Sequence, residues 1–281
     1  MRASFQYLGR GSWLAKRDPR VVLIAAGAFV IGAVQLRDAR HLLAALVVAL
    51  VFYRLAAIPF RRVRVQWIYL SLTIVMIAGL NTIITGGRAG GFAESELHVL
   101  FRVPLLGAPV TAEAISLSVS QALRFLGAVA VSLPIAYSIA PGDFAVALRR
   151  LGLPDRGAIT IDLAIRFLPT LVQEFAETID AQRVRGYDPL SGKGGPISRI
   201  RRIAPIFVPV TVGAVAGAED TIDAMDLRGF GVGKRTWSRT LRFAPADWLV
   251  IGVFVAFVVV ATFLNFTGRS QHYLVPFLVG T

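Results

Sequence analysis

The chain has no cysteine, and this absence excludes a disulfide framework and any metal site built on cysteine ligands. Histidine is nearly as scarce, because the 281 residues include only His41, His98 and His272, far apart in the sequence. Glu94 and Glu96 stand close to His98, but we expect a solvated loop there. The sequence therefore predicts no metal site and no cofactor.

Negative charge is also in short supply. The chain has 17 Asp and Glu against 30 Lys and Arg, which gives a formal net charge of +13. A strongly basic protein can be one that binds nucleic acid, but here the basic residues flank long uncharged runs. Membrane topology leaves this pattern in a sequence. We therefore expect contact with a lipid bilayer and none with nucleic acid.

The uncharged runs are long enough to cross a membrane, since a helix needs roughly 20 apolar residues to span the hydrocarbon core. They predict an all-α integral membrane protein with about five transmembrane helices, together with amphipathic helices in the cytoplasm. The predicted spans are 21–36, 42–60, 67–85, 114–139 and 246–267.

The basic residues also orient the chain. With the N-terminus inside, 23 Lys and Arg fall on the cytoplasmic side and five outside. The first apolar run begins after Arg20 and is followed by Arg37 instead of a small-residue cleavage site, so we expect no signal peptide. The sequence thus predicts a multi-pass protein of the cell membrane with a cytoplasmic N-terminus. Arg54 and Arg124 lie within spans, and we expect them to snorkel.

Three segments follow from this topology. Residues 1–139 form a membrane part with four helices, 140–245 a cytoplasmic region, and 246–281 the last span and tail. In the cytoplasmic region we expect a helix at 143–151 capped by Asp143, then an amphipathic helix at 156–185 kinked by Pro169. The run 188–196, rich in Gly and Pro, predicts a loop.

A second apolar run in this region, 203–218, has 16 residues without a charge. We do not expect it to cross the membrane, because it is short for a span and contains two prolines and two glycines.

A ten-residue repeat supplies a further reason. Residues 178–187 read TIDAQRVRGY and residues 221–230 read TIDAMDLRGF, with six identical positions and an aromatic residue last in both. Each copy ends a predicted helix with Arg before Gly, and Gly readily takes the left-handed conformation that closes a helix. Helix capping alone could explain one copy. Two copies predict two similar docking ends on one side of the membrane.

At this point the sequence resembles a known family, the T component (EcfT/CbiQ-like) of energy-coupling factor (ECF) importers. The likeness runs through most of the chain, and the paired Arg-Gly ends are its most specific mark. The other matching residues are Asp18-Pro19-Arg20, Ile58-Pro59, Asn81, Pro109 to Glu113, Leu151 to Pro154, Arg166 to Pro169, Gly229-Phe230-Gly231 and Gly233-Lys234-Arg235.

The resemblance implies a coupling subunit that joins two cytoplasmic ATPases to a membrane-embedded substrate-binding S component, for vitamin or transition-metal uptake. It implies no enzyme activity in this chain. It also implies that the ATPase-docking residues lie at the two ends; they are Ala181, Val184, Arg185, Gly186, Ala224, Leu227, Arg228 and Gly229. The family pattern is Ala-Arg-Gly, so Val184 and Leu227 depart from it by carrying bulkier side chains.

Other classes fit less well. A stand-alone secondary transporter is expected to carry charged residues deep in its spans, and an intramembrane enzyme a polar constellation at that depth; both features are nearly absent. The segment from Gly229 to Thr236 looks faintly like a phosphate loop, but Arg228 occupies the first Gly position and Arg235 follows Lys234 where Ser or Thr belongs. The chain is therefore not expected to be the ATPase itself.

Overall fold

The computed structural model describes residues 12–85, 98–102, 109–187, 195–233 and 241–269. The fold is all-α and membrane-embedded, as predicted, apart from one short hairpin. Two compact units make up the chain. The larger unit contains Gln6–Asp143 and Leu241–Thr281, and the smaller one is built mainly from Phe144–Thr240.

The larger unit is a bundle of five helices. Their bounds are α1 Pro19–Gln35, α2 Ala39–Leu55, α3 Phe60–Thr85, α4 Ala112–Ser138 and α8 Pro245–Phe266. Between α3 and α4, the strands β1 Val99–Arg102 and β2 Pro109–Thr111 form an antiparallel hairpin in a segment predicted to be loop.

Short polar side chains start three of these helices. Asp18 and Asp38 accept hydrogen bonds from the backbone amides of Arg20 (3.0 Å) and Arg40 (2.8 Å), and Thr111 accepts one from Ala114 (3.1 Å). These bonds satisfy amides that have no partner inside the helix. The Asp18-Pro19 pair therefore fixes the start of α1, because Pro is also favoured at the first helical position.

Close packing of small residues against aromatic rings holds the bundle together. α4 packs on α1, α2 and α3, while α8 packs on α1. Two glycines leave room for aromatic rings of the neighbouring helices. A Cβ placed on Gly127 of α4 would lie 2.5 Å from the ring of Phe29 on α1. A Cβ placed on Gly32 of α1 would lie 2.5 Å from the ring of Phe257 on α8. Small residues at helix crossings are the usual device for packing in lipid.

Arg124 has a specific structural role. It lies near the middle of α4, and its guanidinium donates to the carbonyl oxygens of Ala33 (2.9 Å) and Leu36 (2.6 Å). These carbonyls lie at the C-terminal end of α1, where the helix itself supplies no amide to bind them. Because α1 has 17 residues, it is only about 25 Å long, and its end reaches part-way along the longer α4. The extended arginine therefore complements the negative end of the α1 dipole.

Polar pairs join α3 to α4. Asn81 donates to Gln121 at 3.0 Å, Thr82 and Ser118 share a short hydrogen bond, and Ser118 donates to the Ala78 carbonyl at 3.0 Å. Hydrogen bonds between helices are stabilising in lipid, where the side chains have no water as a partner.

The start of α3 corrects the prediction. The span was expected at 67, after a basic turn at 61–66, but the helix begins at Phe60 and Arg61, Arg62 and Arg64 are helical. The turn lies earlier, at Ala57, which has a φ of 48°, and Pro59. Arginine has a high helix propensity, so a helix can continue through basic residues. Such residues therefore mark where a helix leaves the apolar layer of the membrane, and the helix itself can begin earlier.

The smaller unit contains two long helices after most of a short one, whose first three residues belong to the larger unit. Their bounds are α5 Pro141–Arg150, α6 Asp155–Val184 and α7 Pro196–Leu227. α5 begins at Pro141, so Asp143 lies in its first turn and is not the cap that was predicted. α6 matches the predicted amphipathic helix and continues through Pro169 as one element. Residues 188–194 of the predicted loop lie outside the described residues.

α7 differs from expectation in length. It is one helix of 32 residues that contains Pro205 and Pro209. Its part Ile200–Leu227 is among four described helices long and apolar enough to cross a membrane; the others are Phe60–Ile84, Ala112–Ser138 and Pro245–Phe266. The argument that α7 is too short to cross is therefore wrong. The first two predicted spans, 21–36 and 42–60, form the 17-residue helices α1 and α2, which are not among the four.

Candidate docking site

The two copies of the repeat end α6 and α7 with the same backbone geometry. At the end of α6, the backbone amide of Gly186 donates to the carbonyl oxygen of Arg183, and the amide of Tyr187 donates to the carbonyl oxygen of Gln182, both at 2.9 Å. At the end of α7, the amide of Gly229 donates to Asp226 and that of Phe230 to Met225, again at 2.9 Å. These paired bonds define a Schellman motif, which satisfies the last carbonyls of a helix.

Gly186 and Gly229 adopt the left-handed conformation that this motif requires. Their φ angles are 83° and 67°, and, apart from adjacent backbone, no atom of a described residue lies within 4 Å of the position that a Cβ would take. A side chain at either glycine would therefore meet a conformational cost but no steric clash within the described chain.

The motif by itself is not a docking signal. α5 ends in the same way at Gly152, and α8 does so at Gly268. The residue before glycine is Leu151 in one case and Thr267 in the other. Because those two ends close without arginine, the geometry does not explain why both repeat copies carry Arg before Gly.

The side chains at the two ends point away from the fold. Arg185 and Arg228 are exposed, and neither guanidinium forms a hydrogen bond or ion pair with another described residue. Val184 and Leu227, one residue earlier, are each 90% exposed. An aliphatic side chain this exposed next to an unpaired guanidinium gives each end one apolar and one cationic contact to offer. Ala181 and Ala224, one turn back, are exposed as well.

One contact at the first end was not predicted. The Tyr187 hydroxyl donates to the carbonyl oxygen of Arg202 at 2.8 Å, which ties the end of α6 to the start of α7. The repeat showed only that its tenth residue is aromatic in both copies. The second copy has Phe230, which has no hydroxyl to form the same bond.

An apolar groove of ≈ 420 Å³ lies between α6 and α7. Leu171, Val172 and Phe175 form one wall, and Phe207, Val210 and Ala214 form the other. The apolar face predicted for α6 therefore packs only in part on α7 and remains open to a partner or lipid.

No group of three or more His, Asp or Glu side chains comes together among the residues that the structure describes. Glu94 and Glu96 lie outside those residues. The nearby His98 instead contacts the buried Glu113 through its ring, with an Nδ1 to Oε1 distance of 2.9 Å. This pair joins the hairpin to the start of α4.

A helical bundle with long apolar helices, together with amphipathic helices that have two exposed, matched ends, is the architecture of a multi-pass α-helical membrane protein. The comparisons specify the family. A family profile described as "Cobalt transport protein" (CbiQ) matches residues 10–238. The chain belongs to this family, and it is a transmembrane T component of the ECF type.

Three curated relatives cover most of the chain, and each is called "Energy-coupling factor transporter transmembrane protein EcfT". The protein of Leuconostoc gelidum is 26% identical over 91% of this chain and 94% of its own length. That of Bacillus selenitireducens is 25% identical, covering 94% and 97%. The Listeria innocua protein is 29% identical, covering 86% and 90%.

Proposed function

We propose that the chain couples two cytoplasmic ATPases to a membrane-embedded S component in an importer of a vitamin or a transition metal. The observation that carries this proposal is the pair of exposed arginines, Arg185 and Arg228, at two helix ends of identical geometry. A transport complex driven by two ATPases needs two equivalent attachment points, and this chain offers two.

The chemistry of each end suits a protein groove. The guanidinium can form two parallel hydrogen bonds with a carboxylate, which fixes both position and direction. The Val184 or Leu227 side chain is removed from water on docking, and this burial adds an apolar contribution. The closed Schellman backbone keeps the end compact, so the helix can enter a groove without leaving backbone carbonyls unpaired.

The open groove between α6 and α7 is the proposed contact surface of the S component. Its walls are almost entirely apolar, with Thr211 as the one hydroxyl residue among the described lining residues. An apolar surface with few directional bonds lets a membrane helix slide without breaking hydrogen bonds. Movement of α6 and α7 at their docked ends would thereby change how the S component sits in the membrane.

The test is assembly and transport with the arginines removed. Purification of the tagged chain with its co-expressed partners should recover two ATPase subunits and a small membrane protein. Arg185→Ala and Arg228→Ala should each weaken recovery of ATPase, and the double variant should abolish transport, because losing one partner of a buried charge pair costs about 2–5 kcal/mol. Lysine should restore little, since it lacks the planar fork.

Arg156→Ala is the matched control, because Arg156 is an exposed arginine of α6 outside the repeat. It should leave recovery and transport unchanged. A double variant that still assembles and transports would disprove docking through the repeat. Substrate uptake by the purified chain alone would favour a stand-alone transporter instead.

A further inference from the structure

Cations and aromatic rings meet where α1 and α8 begin. A short 3₁₀ helix, Leu14–Lys16, precedes α1 and is anchored by Leu14, which is fully buried. The guanidinium of Arg17 lies 4.3 Å from the centroid of the Trp13 ring. A cation over an aromatic face is attracted to it, and this attraction holds the two side chains together. The segment before α1 therefore keeps its arginine at a defined place.

A second set of contacts joins this segment to the start of α8. Arg17 Nε lies 3.9 Å from Oδ1 of Asp247, in the first turn of α8. The guanidinium of Arg20 lies 3.8 Å from the centroid of the Phe243 ring. That ring in turn packs on Trp248, with centroids 5.4 Å apart. The starts of α1 and α8 are therefore neighbours at one face of the membrane, which the sequence predicts to be the cytoplasmic face.

The positive charges of this surface are accessible, whereas its negative charges are buried. The side chains of Asp18 and Asp247 are 0% and 1% exposed. Lys16 and Arg242 are exposed, and neither forms an ion pair with another described residue. Arg17 keeps 22% of its side chain exposed, and its distance of 3.9 Å from Asp247 is too long for a hydrogen bond. Four cations against two carboxylates leave a net charge of +2; the cations are Lys16, Arg17, Arg20 and Arg242.

Two tryptophans border these cations. Trp13 and Trp248 are 37% and 62% exposed. Tryptophan is enriched where a membrane meets water, because its ring is apolar and its N–H group is polar. Trp248 also lies in the first turn of α8, the most apolar of the four described helices that are long enough to span a membrane. The cations therefore lie at the depth of the lipid headgroups.

We propose that this surface binds the headgroup of an anionic phospholipid in the cytoplasmic leaflet. The lipid phosphate contacts Lys16, Arg17 and Arg242, and an acyl chain lies against Trp248. Basic residues near a membrane surface attract anionic lipids. A zwitterionic headgroup carries a cation of its own, so its net attraction to the same residues is weaker. The bound lipid touches the starts of both α1 and α8, and its binding does not depend on the proposed docking of ATPases.

The experiment measures which lipid lies next to the two tryptophans. The full-length chain contains four Trp, so the variant Trp67→Phe/Trp237→Phe leaves only Trp13 and Trp248 to fluoresce. It is placed in phosphatidylcholine bilayers that contain a small fraction of phosphatidylglycerol, with bromine on the acyl chains of one lipid or the other. Bromine quenches tryptophan on contact. At equal mole fractions, brominated phosphatidylglycerol should quench more strongly than brominated phosphatidylcholine.

Removal of the two unpaired cations tests the site itself. Lys16→Gln/Arg242→Gln should weaken the apparent affinity for phosphatidylglycerol by about tenfold, because each basic residue adds to the attraction. The matched control is Arg61→Gln/Arg64→Gln, which removes the same charge from two exposed arginines at the start of α3. It should leave the affinity within about twofold of the unchanged chain, because these arginines lie outside the proposed site.

Equal quenching by the two brominated lipids would overturn the inference. An equal loss of affinity in the control pair would also overturn it, because binding would then follow total charge and not one site. If the tryptophan variant does not fold, native mass spectrometry of the unchanged chain replaces it, and equal retention of both lipids would be the contradicting result. Weaker recovery of a partner protein by Lys16→Gln/Arg242→Gln, with unchanged lipid selectivity, would assign the surface to an acidic protein segment instead.

Discussion

Under the proposed docking function, Gly186 and Gly229 serve two purposes at a helix end. Their positive φ angles close the helix, and no side chain of the described part of the chain lies within 4 Å of the position that a Cβ would take at either residue, adjacent residues apart. A substitution there changes the isolated chain only through backbone strain, about 1–2 kcal/mol for most residues and less for Asn. Any larger effect must arise from a partner that approaches the glycine.

Gly229→Asn separates these purposes. Asn tolerates the left-handed conformation, so the isolated subunit should lose little stability, but the added side chain should hinder entry into a groove and reduce ATPase recovery. Gly268→Asn is the matched control, because Gly268 closes α8 with a φ of 68° and the same pair of bonds. It should lower thermal stability by a similar amount and leave ATPase recovery unchanged. Equal recovery for both variants would assign Gly229 to helix capping alone.

The sequence predicted the positions of these two helix ends, because a local repeat specifies local structure. The Arg-Gly spacing gave the positions at which α6 and α7 end, to within one residue. The sequence could not show that Tyr187 reaches the Arg202 carbonyl. That bond depends on where α7 lies relative to α6, and no local rule fixes this placement.

At the scale of elements, the membrane unit depends on how closely its helices approach each other. The stacked rings of Phe29 and Phe257, with centroids 5.5 Å apart, fill the spaces that glycines leave on α4 and α1. Water does not drive helices together inside a bilayer, so this fit provides much of the association energy.

Gly127→Ala tests that fit. The added methyl group would lie 2.5 Å from the Phe29 ring, so α1 and α4 must separate or Phe29 must move. We expect a loss of about 1–3 kcal/mol, read as a lower unfolding temperature in detergent. Gly252→Ala on α8 is the control, because no described residue outside its own helix backbone lies within 4 Å of its Cβ position. Both substitutions replace glycine by alanine within a helix, so both raise the helix propensity by the same amount. Equal melting temperatures of the Gly127→Ala and Gly252→Ala variants would contradict the proposed role of Gly127.

Helix existence was predictable from the apolar runs, but helix starts were less so. α3 begins before its basic residues, at Phe60. Arginine has a high helix propensity, so the helix continues through these residues outside the apolar layer. The pairing of Val99 with Thr111 in the hairpin was missed, because short strands in a long loop give no periodic signal.

At the scale of the whole molecule, the number of crossings decides whether the account holds. If α7 stays on the cytoplasmic side, the five predicted spans cross and both repeat ends lie in the cytoplasm, where the proposed ATPases would bind. If α7 crosses, the end of α6 and the end of α7 lie on opposite sides. A crossing α7 would move Arg228, Lys234, Arg235, Arg239 and Arg242 outside, so the preference of basic residues for the cytoplasmic side favours the first arrangement.

The most direct test labels the two ends themselves. The chain has no cysteine, so Val184→Cys and Leu227→Cys each introduce a single, highly exposed thiol. The measurement is the rate of labelling by a membrane-impermeant thiol reagent in intact cells and in inverted membrane vesicles, with and without the ATPases. We predict that both thiols are protected in intact cells, label in vesicles, and label more slowly when the ATPases are bound. Labelling at Leu227→Cys in intact cells, or ATPases that slow labelling at neither position, would contradict the account.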